Sequence, residues 1–166
     1  MKAIKKFEEF LKEGIVKIQN PNKSRAEFLI KSAKQSYENL FENINKIGIR
    51  DNNANDYVKT CYDLLMEIVR AKMLLKGYNA SGIGAHESEV SFMRELGFKE
   101  IEVQFVDQMR YFRNGMLYYG TMLDSEYAKK VISFTKEFYQ KVNNDLINQF
   151  KDGLLDLKEG KIKRVA

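Results

Sequence analysis

The sequence predicts an all-α fold, an up-and-down bundle of about five to six helices, on three observations. Apolar residues recur at intervals of three and four over most of the 166-residue chain, the repeat that gives a helix one buried stripe. Gly, Asn, Asp and Ser punctuate these runs where helices start and stop, and the only proline, Pro21, precedes the main body. Strict alternation of apolar and polar residues is confined to short stretches near the two ends, so nothing in the body requires a sheet.

In chain order, Lys2 to Lys12 carries Ile4, Phe7, Phe10 and Leu11 at helical spacing, with Gly14 as a stop. Ile15 to Gln19 then alternates as IVKIQ before Asn20 and Pro21, an extended segment ending in a turn. Ser24 followed by Glu27 is a capping-box pattern for a second helix to about Lys46, with Phe28, Leu29, Ala33, Tyr37, Leu40, Phe41 and Ile44 as its core stripe. After the turn-rich Gly48 to Asn53, Asn55 or Asp56 can cap a third helix that reaches Lys76 and ends at Gly77. Its apolar residues, from Val58 and Cys61 through Leu65 and Val69 to Leu75, cover most of the circumference, as expected of a helix with neighbours on several sides. Asp63, Glu67 and Arg70 interrupt them as one narrow polar stripe. Glu67 and Arg70 can pair within it, and its carboxylates can reach cations on a neighbouring helix.

Tyr78 to Gly84 reads as a flexible connection, and Glu87 and Glu89 sit in the first turns of a fourth helix, where carboxylates complement the dipole. A fifth helix covers roughly Glu100 to Met122. Asp124 or Ser125 can cap a sixth that runs to about Phe150, with Val131, Ile132, Phe134, Phe138, Val142, Leu146 and Ile147 inward. Near the end, Lys161 to Val165 alternates again. Either it pairs with Ile15 to Gln19 as a small β ribbon tying the termini together, or it is a frayed basic tail. The organisation is one domain over residues 1–166, with a helical core of about 24–150, an N-terminal extension of 1–23 and a tail of 151–166.

Composition narrows the function classes. The charge of +5, from 28 basic and 23 acidic residues, favours anionic partners without demanding one. No long uncharged apolar run reads as a membrane span, and the mixed Lys and Glu of MKAIKKFEEFLKEG do not read as a signal peptide, so a cytoplasmic protein is expected. One cysteine, Cys61, excludes an internal disulfide and reads as a small buried hydrophobe. With one histidine, His86, it cannot build a zinc site of the usual kind, and no metal or cofactor is expected. His86 reads as a helix-start residue without an evident partner.

The chemistry-bearing residues concentrate in Asp107 to Leu123, DQMRYFRNGMLYYGTML. At about 100° per residue, Phe105, Met109, Phe112, Met116, Tyr119 and Leu123 share one side of the fifth helix, while Asp107, Arg110, Asn114, Tyr118 and Thr121 share the other, flanked by Arg113. Arg110 and Arg113 can bind phosphate or can pair with Asp63 and Glu67. Asn114 can orient Arg113 or contact a ligand, although Asn-Gly also marks a local helix irregularity. Tyr118, on the polar side, is the better site candidate, and Tyr119 reads as core.

The order of elements, with CYDLLMEIVRAKMLLKGY, GIGAHESEVSFMRELGF and MRYFRNGMLYYG, resembles the HEPN domain family, particularly its prokaryotic members, over about Ser24 to Asn143. The resemblance implies an all-helical bundle, usually a homodimer. It also implies a ribonuclease, or a toxin paired with a nucleotidyltransferase antitoxin. The family signature is Arg, a polar residue often Asn, three to five variable positions, and His. Arg113 and Asn114 match it, but Tyr118 or Tyr119 stands where the His would be. Metal-independent RNA cleavage needs groups that move protons near neutrality, which His supplies and a phenol near pKa 10 does not. The motif thus keeps its binding half. In an enzymatic version, Arg113 stabilises phosphate charge and Tyr118 positions the substrate. The alternative is a dimerisation or interaction module whose arginines are structural ion-pair partners.

Overall fold

The helix with apolar residues around most of its circumference is the one the others enclose. In the computed structural model, which describes residues 2–151, 155–158 and 161–164 and side chains through residue 145, α3 (Asp51–Leu75) packs against α2 (Lys23–Ile47), α4 (Ala85–Phe92), α5 (Glu100–Tyr118) and α6 (Ser125–Lys151). Cys61, Leu65 and Val69 of α3 are fully buried, as expected for a helix with neighbours on several sides. Val103, Val106 and Met109 of α5 and Val131 and Phe138 of α6 join them in one core. The predicted all-α bundle is therefore the observed fold. Leu146 and Ile147 lie outside the residues whose side chains are described.

Helix starts follow local hydrogen bonding, and those of α2 and α3 differ from the sequence reading. The cap of α2 is Asn22, whose side chain accepts the Arg25 N–H at 3.1 Å, and Ser24 supports it by donating to Asn22 Oδ1. In α3 the first turn begins at Asp51, because Asn53 Oδ1 accepts the Arg50 N–H at 2.8 Å and Asn53 donates to the Gly48 carbonyl. Asn55 is thereby released from capping. Its amide clamps the α5–α6 connection instead, donating to the Thr121 carbonyl and accepting the Leu123 N–H, both at 2.9 Å. Asp124 caps α6 through the Tyr127 N–H, one of the two expected choices. Phe28, expected in the α2 stripe, is 69% exposed, since Ala26, Leu29 and Ala33 define the buried face one step round the helix.

The N-terminal segment belongs to the same core. The helix α1 spans only Phe7–Lys12, but Ile4, Phe7, Phe10 and Val16 are all buried in the main hydrophobic cluster. After α1, β1 (Val16–Ile18) pairs antiparallel with β2 (Tyr78–Ala80) in the register Val16↔Ala80, Lys17↔Asn79, Ile18↔Tyr78. The stretch read as a flexible connection is thus partly strand. The approach is close: a Cβ on Gly77, whose φ is +80°, would lie 2.5 Å from the Gln19 carbonyl oxygen, so glycine is required there.

The terminal ribbon expected between Ile15–Gln19 and Lys161–Val165 does not form. Instead β3 (Leu155–Lys158) and β4 (Lys161–Arg164) pair with each other, and Val165 lies outside the described residues. A hairpin between neighbours closes a far shorter loop than a pairing across the whole chain, and loop-closure entropy favours it.

Candidate functional site

The polar stripe of α3 is where α4 and α5 place their charged residues, and three arginines there have three distinct environments. On α3, Arg70 donates from Nε and one terminal nitrogen to the two carboxylate oxygens of Glu89 on α4, at 2.7 and 2.9 Å. That carboxylate is only 4% exposed and also lies 3.2 Å from His86 Nδ1. Burial pushes the Glu89 pKa up, but the hydrogen bonds from His86 and Arg70 outweigh it and hold the group below its ordinary value. Arg70 therefore turns to α4 and not to Glu67. Glu67 instead accepts a hydrogen bond from Ser32 of α2 at 3.1 Å, its second oxygen is buried without a partner among the described residues, and burial raises its pKa.

On α5, Arg110 donates only Nε–H, to Asp107 one turn back at 2.7 Å. Arg113 likewise gives only Nε–H, to Asp63 of α3 at 2.8 Å, and its guanidinium carbon lies 5.7 Å from the Tyr62 ring centroid. Among the described residues, no partner engages the terminal nitrogens of either arginine. Asp63 is 53% exposed, so water competes for Arg113. A planar guanidinium with unused terminal donors keeps the geometry that grips a phosphate or carboxylate.

Arg110 also opens onto a cleft of about 450 Å³ bounded by Lys2, Lys5, Glu87, Asp107 and Tyr111. Lys2 and Lys5 did not stand out in the sequence, because only the fold brings the N-terminal segment beside α5. A contact fixes it there: Arg94 donates to the Ile4 and Lys5 carbonyls at 3.2 and 3.0 Å. His86, read as lacking a partner, acquires Glu89, which its spacing of three residues on α4 permits.

Tyr118 does not join the arginines. It is the last residue of α5 and 75% exposed. It lies roughly 7 Å along the axis from Arg113 and about 140° round it. Tyr119, expected in the core, is 86% exposed, because α5 ends at Tyr118 and the helical wheel no longer places it. The helix stops there for a local reason. Gly120, at φ +68°, reverses the chain so that the Thr121 N–H bonds the Gly115 carbonyl at 3.2 Å, and a Cβ on Gly115 would lie 2.5 Å from Thr121 Oγ1. The Asn-Gly step is thus a packing requirement. Its Asn114 is half-buried beside Arg113 in sequence.

Cys61 is buried with its thiol pushed up to about 12 by that burial, so it is inert packing. Among the described residues, no group of three His, Cys, Asp or Glu side chains is placed to hold a metal, and no helix is long and apolar enough to cross a membrane. Comparison with protein-family models, with curated proteins and with solved structures returns no match.

Proposed function

We propose that the α5 face binds a phosphate-bearing ligand, RNA or a nucleotide, in the manner expected of a HEPN-type protein, with Arg110 and Arg113 as the principal contacts. One observation carries this reading: both arginines are anchored through Nε alone, one turn apart, and keep their terminal donors for a ligand, whereas Arg70 is consumed by Glu89. The net charge of +5 acts in the same direction. Asn114 flanks the pair, whereas Tyr118, exposed at the end of the helix, stands on another side from Arg113 and is not part of the phosphate contact. Asp63 supports the face from α3 by holding Arg113, whereas Glu67 and Arg70 of the same stripe turn to α2 and α4. Binding is favoured over cleavage, because no histidine follows the arginines in the motif to move protons near neutrality. A toxin role beside a nucleotidyltransferase antitoxin belongs to this same proposal.

The test is fluorescence anisotropy with a labelled single-stranded oligoribonucleotide over a series of salt concentrations. Binding should weaken with salt, and Arg110→Ala and Arg113→Ala should each weaken it further and reduce the salt slope by about 0.7 per lost contact. Unchanged affinity in both variants refutes the assignment.

A second reading has its own observation. Tyr111, Leu117, Tyr118, Tyr119 and Met122 are all exposed on the last turns of α5 and just after it, and exposed apolar side chains concentrated on one segment are a feature of protein interfaces. It supports a homodimer or a protein partner, and sedimentation of wild type against Leu117→Ser would detect the loss of self-association.

A further inference from the structure

Tyr62 carries a hydroxyl that the fold leaves without a use. The residue is 3% exposed, and its hydroxyl has no hydrogen-bond partner among the described residues, although a buried phenol normally finds one. It adjoins the candidate site, the guanidinium carbon of Arg113 lying 5.7 Å from its ring centroid. The phenol is protonated at neutral pH and burial pushes its pKa further up, so the hydroxyl is a hydrogen-bond donor. The neighbouring carboxylates are already engaged: Glu89 by Arg70 and His86, and Asp63 by Arg113.

We propose that Tyr62 is a ligand-binding residue concealed beneath Arg113, donating its hydroxyl hydrogen to an oxygen of the phosphate that Arg110 and Arg113 attract. This rests on the anion-binding reading of the α5 face. Arg113 lies over the Tyr62 ring and is fastened only through Nε to a half-exposed carboxylate, so a phosphate can draw it aside at small cost. The movement uncovers the hydroxyl next to two guanidinium groups, completing a three-donor cradle for one anion. The acceptor that the buried phenol lacks is then supplied by the ligand.

The decisive variant is Tyr62→Phe, which removes one oxygen and keeps the ring under Arg113. Binding of a labelled oligoribonucleotide, of AMP and of inorganic phosphate would be titrated for the wild type, Tyr62→Phe and Arg113→Ala, with thermal melts of each. The three probes separate a phosphodiester ligand from a terminal phosphate. Tyr62→Phe is expected to weaken binding of the preferred probe about tenfold, the loss of one hydrogen bond to a charged group. Its melting temperature should stay level or rise, because the lost hydroxyl was unsatisfied. Wild-type affinity in Tyr62→Phe alongside weakened Arg113→Ala overturns the role of Tyr62 alone. A marked fall in its melting temperature overturns it too, since the hydroxyl would then have a structural partner. If the wild type binds none of the probes, the anion-binding reading itself fails.

Discussion

Replacing Arg70 and Arg113 separately by alanine should give opposite results in stability and binding. The Arg70 partner, Glu89, is 4% exposed and takes two charge-assisted hydrogen bonds from the guanidinium. Arg70→Ala leaves a buried carboxylate with His86 as its remaining partner, and breaking such a pair costs about 3–5 kcal/mol. At about 2–4 °C per kcal/mol for a domain of this size, even the lower figure is a fall of roughly 6–12 °C in melting temperature. The Arg113 partner, Asp63, is 53% exposed, and exposed pairs contribute about 0–1 kcal/mol, so Arg113→Ala should melt no more than roughly 4 °C below wild type. Thermal melts by circular dichroism at fixed protein concentration, paired with anisotropy on the labelled oligoribonucleotide, read both quantities. Arg70→Ala should lose stability, and Arg113→Ala should lose binding. Equal destabilisation by the two variants would refute the distinction drawn between a structural and an available arginine, and with it the main support for an anion site.

Two further outcomes follow from the geometry. Gly115→Ala forces a Cβ to within 2.5 Å of Thr121 Oγ1 and 3.2 Å of Thr121 Cβ, and overpacking of this kind should cost about 1–3 kcal/mol, seen as a lower urea midpoint with unchanged slope. Glu89 has a folded pKa held below its ordinary 4.5, so the folded state binds fewer protons than the unfolded one and stability rises with pH through that interval. The wild-type advantage over Glu89→Gln is therefore full above the ordinary value and disappears as pH falls through the lowered one. Urea denaturation at pH 6 and pH 3 checks this, and a gap of the same size at both values would contradict it.

The legibility of the sequence follows the range of the interactions involved. Long periodic runs such as Val58 to Leu75 encode their own helix and burial, and α3 lies where an apolar circumference broken only by one polar stripe requires. Boundaries were less legible because capping residues compete. Asn22, Ser24, Asn53 and Asn55 are all chemically able to cap, and only the geometry shows Asn22 and Asn53 doing so while Asn55 holds the Thr121 to Leu123 turn. The strand Tyr78–Ala80 was hidden because three residues are too few to display an alternation. At the site, the pairing of Arg113 with Asp63 was one of the open readings, since a helical wheel shows which residues share a face. The capture of Arg70 by Glu89 was not legible, because nothing in α3 or α4 separately states that the two stripes meet.

The arginines also bear on whether this surface can do more than bind. An anion site needs donors held in place without being used up, and anchoring through Nε alone achieves that for Arg110 and Arg113. Cleavage of a phosphodiester asks in addition for groups that exchange protons near pH 7. Tyr118 stands on another side of the helix from Arg113, Tyr62 is driven by burial away from ionisation, and His86 is tied to Glu89 on α4. On the proposed HEPN-type reading, therefore, no neighbouring group on α5 takes the place of the histidine that the motif would require. Charge stabilisation without a positioned base lowers only part of the barrier to RNA cleavage, so the proposed anion-binding reading predicts binding that depends on Arg113, with cleavage slow or undetectable.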